Sequence, residues 1–261
     1  MPATGRLPQR LSDEDLQKML ALVEDADSVE LKVTVPDDQQ RSAVTALGMD
    51  PLDGQIRQAY FFDTPDLACN KQGVVVRARR VQRRHDDSVI KLRPVVPGNL
   101  PADLRSDKNM VVEVDAIPGG YVCSASLKGV PDPDAIQAVA AGDRPIRTLF
   151  SEQQQAFYDA HAPEGVGLDD LTLLGPINLI KLKFTPGEFG RRLVAELWTY
   201  PDGSRILELS TKCPPSETFQ AAAETRAFLS ERGVDLTGEQ QTKTSTALEF
   251  FTQHLKATAD A

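Results

Sequence analysis

Arg77 and Arg79 sit two residues apart in GVVVRARRV, and Lys91 and Arg93 repeat that spacing in VIKLRP. Valine, alanine, isoleucine and leucine fill the alternate positions. Successive side chains of a strand point to opposite faces, so each pair of cations shares a face. Antiparallel pairing of the two segments would gather all four on one patch, suited to gripping an anion with several oxygens. For a single hairpin the simpler reading is a solvated outer face, which is ordinarily charged.

The same alternation recurs along the chain. Glu30 and Lys32 alternate with Val29, Leu31 and Val33 in VELKV. Glu113 and Asp115 alternate with Val112, Val114 and Ala116, and Lys181 and Lys183 share a face in NLIKLKF. Glu196 shares one with Trp198, and Glu208, Ser210 and Lys212 align in RILELSTKC. The eight cations and five acids of these faces sum to +3, within a chain of net charge −9 that leaves −12 for the rest. A basic set inside an acidic protein is not what a random solvated face gives. Turned inward, such a set needs water, its own acids, or a bound polyanion with a metal as partners, because buried charges are costly unpaired. Carboxylate oxygens suit Mg²⁺ or Mn²⁺, which bridge phosphate oxygens.

Strands must position these residues. The clearest block is 60–93, read as strands 60–63, 73–81 and 88–93 with turns at Asp63-Thr64-Pro65-Asp66 and His85-Asp86-Asp87. Further strands are expected at 29–35, 110–117, 178–184, 191–200 and 205–213, with a hairpin turn at Pro201-Asp202-Gly203. Ser12 is expected to cap a helix over 13–25, and residues 1–10 form a tail. A helix is expected over 36–47 with Gly48 ending it, another from Ser216 to 232, and a last one over 238–257 striped by Leu248, Phe251 and Leu255. Residues 94–109 read as loop and 118–145 as irregular, with a short helix near 134–141; 149–161 is either helix or strand. Strands following strands with hairpin turns give an α+β fold with an antiparallel sheet or barrel.

Composition bounds the class. At 261 residues, 41% hydrophobic and 26% charged, the chain is an ordinary globular protein. It has no apolar run of membrane-spanning length and no signal-peptide pattern. Cys69, Cys123 and Cys213 form no CxxC and read as free thiols of a cytoplasmic protein. The negative net charge argues against general nucleic-acid binding.

The ordered series VELKV, YFFDTPD, GVVVRARR, VIKLRP, VVEVDA, LIKLKF, VAELW, ILELSTK resembles the CYTH family, the triphosphate tunnel enzymes, over residues 28–212. No single motif is specific; their order is. The resemblance implies an eight-stranded antiparallel tunnel with charged side chains inside. It implies an N-terminal tail and helix over 1–27, a barrel over 28–215 and packed helices over 216–261. The family hydrolyses inorganic, thiamine or nucleoside triphosphates with Mg²⁺ or Mn²⁺, and includes class IV adenylyl cyclases.

Carried over by position, Arg77, Arg79, Lys91, Arg93, Lys181, Lys183 and Lys212 would bind phosphate. Glu30, Lys32 and Glu113 would serve catalysis, and Glu30, Glu208, Glu196 and Asp115 would hold metal. A small triphosphate or polyphosphate is the implied partner, with no nucleic acid or membrane, and a homodimer is left open.

The departures thin the acids. Ser28 stands where the first glutamate of the Glu-x-Glu-x-Lys signature belongs, Ser210 where a second closing-strand glutamate is usual, and Trp198 where an acid is common. Two rivals therefore stand beside hydrolysis: a polyanion-binding protein with a degraded metal site, and a cyclase. His85, His161 and His254 read as surface residues, Tyr60 and Trp198 as packing, and Lys243-Thr244-Ser245 as a solvated helix face despite a family likeness there.

Overall fold

The computed structural model describes residues 13–118, 120–236, 240 and 243–259. The expected 1–10 tail, the Ser12 cap and most of 238–242 lie outside the described residues. Nine strands are described: β1 (Ser28–Val35), β2 (Gln55–Asp63), β3 (Val74–Val81), β4 (Asp87–Leu92), β5 (Met110–Ile117), β6 (Gly120–Gly129), β7 (Thr172–Phe184), β8 (Leu193–Thr199) and β9 (Arg205–Cys213). They close into a barrel in the order β1-β5-β6-β4-β3-β2-β7-β8-β9. The helices are α1 (Asp13–Glu24), α2 (Gln40–Ala46), α3 (Ala68–Lys71), α4 (Ala102–Arg105), α5 (Ala135–Ala140), α6 (Glu152–Asp159), α7 (Thr218–Glu231) and α8 (Lys243–Ala259).

Two expectations are corrected. The barrel has nine strands among the described residues, not eight, because β6 falls in the stretch read as irregular. Its sequence, GYVCSASLKG, is rich in glycine, serine and alanine, which carry little strand signal. The sheet is also mixed: β1 pairs antiparallel with β9 but parallel with β5, Glu30 lying opposite Asp115. A parallel pair needs a long crossover, and here β2, β3 and β4 all intervene between its two strands. β2 and β7 also begin earlier than the alternation suggested, at Gln55 and Thr172.

The apolar face of most strands points outward, under helices. Val29, Val112, Val114, Cys123, Ala125 and Leu127 pack beneath α1, α5 and α6. Leu182, Leu193, Ala195, Leu207 and Leu209 pack beneath α2 and α7. Covering this outer face is what stabilises the fold, at about 25 cal/mol per Å² of apolar surface removed from water. The alternation then leaves the charged face inside.

Fixed polar contacts set the geometry. Residues 149–161 resolve as helix: Ser151 caps α6 in a capping box with Gln154. Fully buried Gln154 donates from Nε2 to the Leu127 carbonyl at 3.0 Å and accepts from the Ser88 hydroxyl at 3.1 Å, tying α6 to β6 and β4. Gly73, at φ +81°, lets the chain pass so close to β4 that a Cβ would lie 2.6 Å from the Arg93 carbonyl oxygen. The Arg93 amide donates to the Gly73 carbonyl at 2.8 Å, which fixes where Arg93 enters the barrel. Asp63 accepts amide hydrogens from Thr64, Cys69 and Asn70 and is a turn residue.

Candidate active site

Strand register brings the expected charges together. Arg79 lies opposite Asp87, Lys181 opposite Glu196, Glu196 opposite Glu208, Lys32 opposite Ser210, and Ser28 opposite Glu113. Three clusters result.

The first is acidic. Glu30, Glu113 and Asp115 each place an oxygen within 4.8 Å of the others. The Lys32 ammonium lies 3.1 Å from Glu30 and 2.8 Å from Asp115. Arg93 and Lys91 stand 3.4 and 3.8 Å from the other oxygen of Asp115. Asp115 is 1% exposed, and among the described residues neither of its oxygens has a hydrogen bond of good geometry. Burial would raise the Asp115 carboxyl, but Lys32, Lys91 and Arg93 outweigh it and hold the group below the usual carboxylate range. Burial likewise opposes the charge of Lys32, and Glu30, Asp115 and Glu208 more than compensate, holding that ammonium firmly protonated.

The two serines that stand in for acids belong here. The Ser28 hydroxyl donates to Glu113 at 3.2 Å and the Ser210 hydroxyl donates to Glu30 at 2.9 Å. Three clustered hard oxygen donors, one deeply buried, fit a divalent cation of the Mg²⁺ or Mn²⁺ kind.

The second cluster is cationic. Arg77, Lys91 and Arg93 line a cavity of about 300 Å³ together with Thr244 and Ser245 of α8. The Arg77 Nε is shielded from solvent and has no hydrogen-bond partner among the described residues. Burial, with Arg79 beside it, pushes Arg77 down to about 9. Burial also pushes Lys91 down to about 8, against the pull of Asp115 and with repulsion from Lys32, Arg93 and Arg77. Arg79 is paired, its Nε donating to Asp87 at 2.9 Å.

A pH prediction follows from Lys91. Its depressed value means that burial in the empty fold weakens the ammonium form, and charge is lost as pH rises through about 8. A bound anion needs the charged form. With chelator present, tripolyphosphate affinity should fall about tenfold between pH 7 and 9.5, since a charged hydrogen bond is worth roughly 1.5–3 kcal/mol. Titration calorimetry checks it; Lys91→Met should flatten the profile, and an equally steep profile in that variant would assign it to another group.

The third cluster joins Glu196 and Glu208. Lys181 donates to Glu196 at 2.7 Å, and the Trp198 indole donates to the other Glu196 oxygen at 3.2 Å. Lys243 of α8 bridges Glu196 and, at 2.7 Å, Glu208. The metal residues expected from sequence are therefore divided. Glu30 and Asp115 meet with Glu113, while Glu196 and Glu208 share an ammonium. Lys212 pairs with Glu113 and is half exposed, and Lys183 is exposed at the rim.

Four charged residues escaped the sequence reading. Arg57 faces the lumen beside Arg79 and Glu196, where backward extension of the Ala59–Phe61 alternation would have found it. Asp87 was read as turn. Lys128 faces Lys212 and Glu113 from the missed β6. Lys243 corrects an expectation outright: its side chain is 13% exposed and enters the barrel instead of facing solvent. With them, the lumen and its rim hold eleven cations against six acids among the described residues, an excess of five. His85 is exposed and His161 packs on Phe157, while the side chain of His254 lies outside the described residues.

No protein-family model and no curated protein matches the chain. Solved structures do. A candidate adenylate cyclase from Bacillus halodurans superposes with a TM-score of 0.57 at 14% identity, covering 84% of this chain and 97% of that one. A candidate adenylyl cyclase from Hippeastrum, described as having a dominant triphosphatase activity, superposes at 0.59 with 18% identity, covering 81% and 91%. Among the described residues no helix is long and apolar enough to cross a membrane. This chain thus shares the closed-barrel fold of these two solved structures.

Proposed function

We propose that the chain hydrolyses a small triphosphate, inorganic or organic, inside the barrel. The observation that carries this is the cation excess around Arg77, whose Nε is shielded and unsatisfied beside a cavity lined by Lys91 and Arg93. Such a group awaits an acceptor, and phosphate oxygens are the acceptors that guanidinium forks fit best. The triphosphatase activity described for the Hippeastrum neighbour supports the same reading.

The residues divide the work. Arg77, Lys91 and Arg93 grip the phosphates, with Arg79, Lys181, Lys183 and Lys212 extending the cationic wall. Preorganised donors of this kind stabilise the charge that spreads over the transferred phosphoryl group. Glu30, Glu113 and Asp115 would hold a divalent cation, which would supply positive charge to offset that of the phosphates. Lys32 fixes Glu30 and Asp115 relative to each other. Glu30 and Glu113 stay partly exposed and are the carboxylates placed to orient an attacking water. Three buried free cysteines suit a reducing cytoplasm.

One observation favours a second reading, a protein that holds polyanions without cutting them. All six acids already contact a lysine or arginine. Orthophosphate release from tripolyphosphate, ATP and thiamine triphosphate, with Mg²⁺, Mn²⁺ or chelator, separates the two. Metal-dependent release, reduced at least about 100-fold in Glu30→Gln, is expected. Salt-sensitive tripolyphosphate binding without release under any metal would establish the holding reading instead. Pyrophosphate with cyclic AMP from ATP would mark a cyclase.

A further inference from the structure

Glu196 and Glu208 are register partners on adjacent strands, and like charges directly opposite destabilise a sheet. A cation between them relieves that repulsion. We infer that Lys243 is that cation, a permanent one, and that metal is thereby confined to Glu30, Glu113 and Asp115, one divalent ion per chain. Only the placing of the open site rests on the metal-dependent reading above.

The geometry around Lys243 is closed. Its ammonium contacts one oxygen of Glu196 and lies 2.7 Å from Glu208. It also sits 5.4 Å from the centre of the Trp198 ring, within cation–π range. Lys181 and the Trp198 indole complete the shell of Glu196. Trp198, where an acid would add a metal oxygen, instead supplies a donor and a π face. Neither is a ligand for a hard cation, which asks for six or more oxygens.

The lysine is also anchored. The Tyr200 hydroxyl donates to its carbonyl at 3.2 Å. One turn on, Ala247 and Leu248 are buried against Phe61, Trp198, Tyr200 and Ile206, so α8 is seated on an apolar end of the lumen. An ion entering between Glu196 and Glu208 would have to expel a charge fixed to a packed helix. The acid trio differs at one member: Lys32 is fixed on Glu30 and Asp115, but the counter-ion of Glu113, Lys212, stands near a strand end with a half-exposed side chain that can swing aside.

Titrating the full chain with Mn²⁺, counting bound ion by electron paramagnetic resonance, tests this. Wild type should bind one equivalent and Glu30→Gln none. Glu208→Gln should leave the wild-type count at one. Lys243→Met should bind two, and adding Glu208→Gln to it should return the count to one. Thermal melts give a second readout: Mn²⁺ should raise the melting temperature of Lys243→Met by more than that of wild type. Two equivalents or none in wild type, or a cooperatively melting Lys243→Met with no gain of ion, would overturn the inference. If Lys243→Met does not fold, loss of an equivalent in Glu208→Gln alone still decides against it. One bound Mn²⁺ with no hydrolysis would overturn the triphosphatase reading and leave the lysine assignment standing.

Discussion

Arg77→Met should raise the melting temperature by a few degrees while cutting phosphate release by about two to three orders of magnitude. The opposed signs come from one side chain. In the empty barrel Arg77 is a cost. Its Nε is shielded from solvent with no acceptor among the described residues, and burial and Arg79 both disfavour its charge. Removing a poorly compensated charge and keeping the volume is commonly neutral or stabilising, by up to about 1–4 kcal/mol for buried ion pairs and triads. Methionine fills the arm of arginine without the polar head.

With a triphosphate bound, the guanidinium has its acceptor. It then supplies the preorganised positive charge that the transition state uses, at no further cost of ordering. A paired measurement of thermal stability and kcat/KM checks both halves. A lower melting temperature would mean that Arg77 has a structural partner, and undiminished turnover would place the phosphates elsewhere in the barrel.

What could be read beforehand was whatever two-residue periodicity controls. Arg77 with Arg79, Lys91 with Arg93, and Glu113 with Asp115 alternate against buried valines, alanines and leucines, so their common face needed no tertiary knowledge. Their inward direction followed from charge recurrence alone. What escaped depends on contacts remote in sequence. The parallel partnership of β1 and β5 joins segments about 85 residues apart, and nothing local marks it. β6 is built of small residues because Ser124 and Ser126 line a lumen crowded by longer arms.

Lys243 escaped for a related reason. Helical periodicity identified Leu248 and Phe251 as an apolar stripe, and both are at least half-buried. It could not say that the stripe rests on the inside of a barrel, or that the first turn would carry a lysine onto two glutamates. Ser28 and Ser210 were legible as missing carboxylates. That each donates a hydrogen bond to a neighbouring acid, Glu113 or Glu30, required the register.

Asp115→Asn should have the opposite profile to Arg77→Met: a large loss of stability that polyanions restore. Asp115 is the shared counter-ion of Lys32, Arg93 and Lys91. Removing one partner of a buried charge cluster costs about 3–5 kcal/mol, because the remaining charges stay buried without it. For a chain of this size that is on the order of 10 °C in melting temperature. Tripolyphosphate should then stabilise the variant more than wild type, since a ligand that binds only the folded state adds stability as its affinity rises.

The acid limb gives a further check. The Asp115 carboxyl is held below its unfolded value of about 3.9 by the three cations, so its contribution is fully present above that value. It is lost as pH falls through the depressed folded value, and the asparagine variant should lack this part of the acid transition. Melts between pH 3 and 7, with and without tripolyphosphate, read both effects. An asparagine variant as stable as wild type without ligand would mean that Glu30 alone carries the positive charge of Lys32, and that Asp115 is dispensable to the empty barrel.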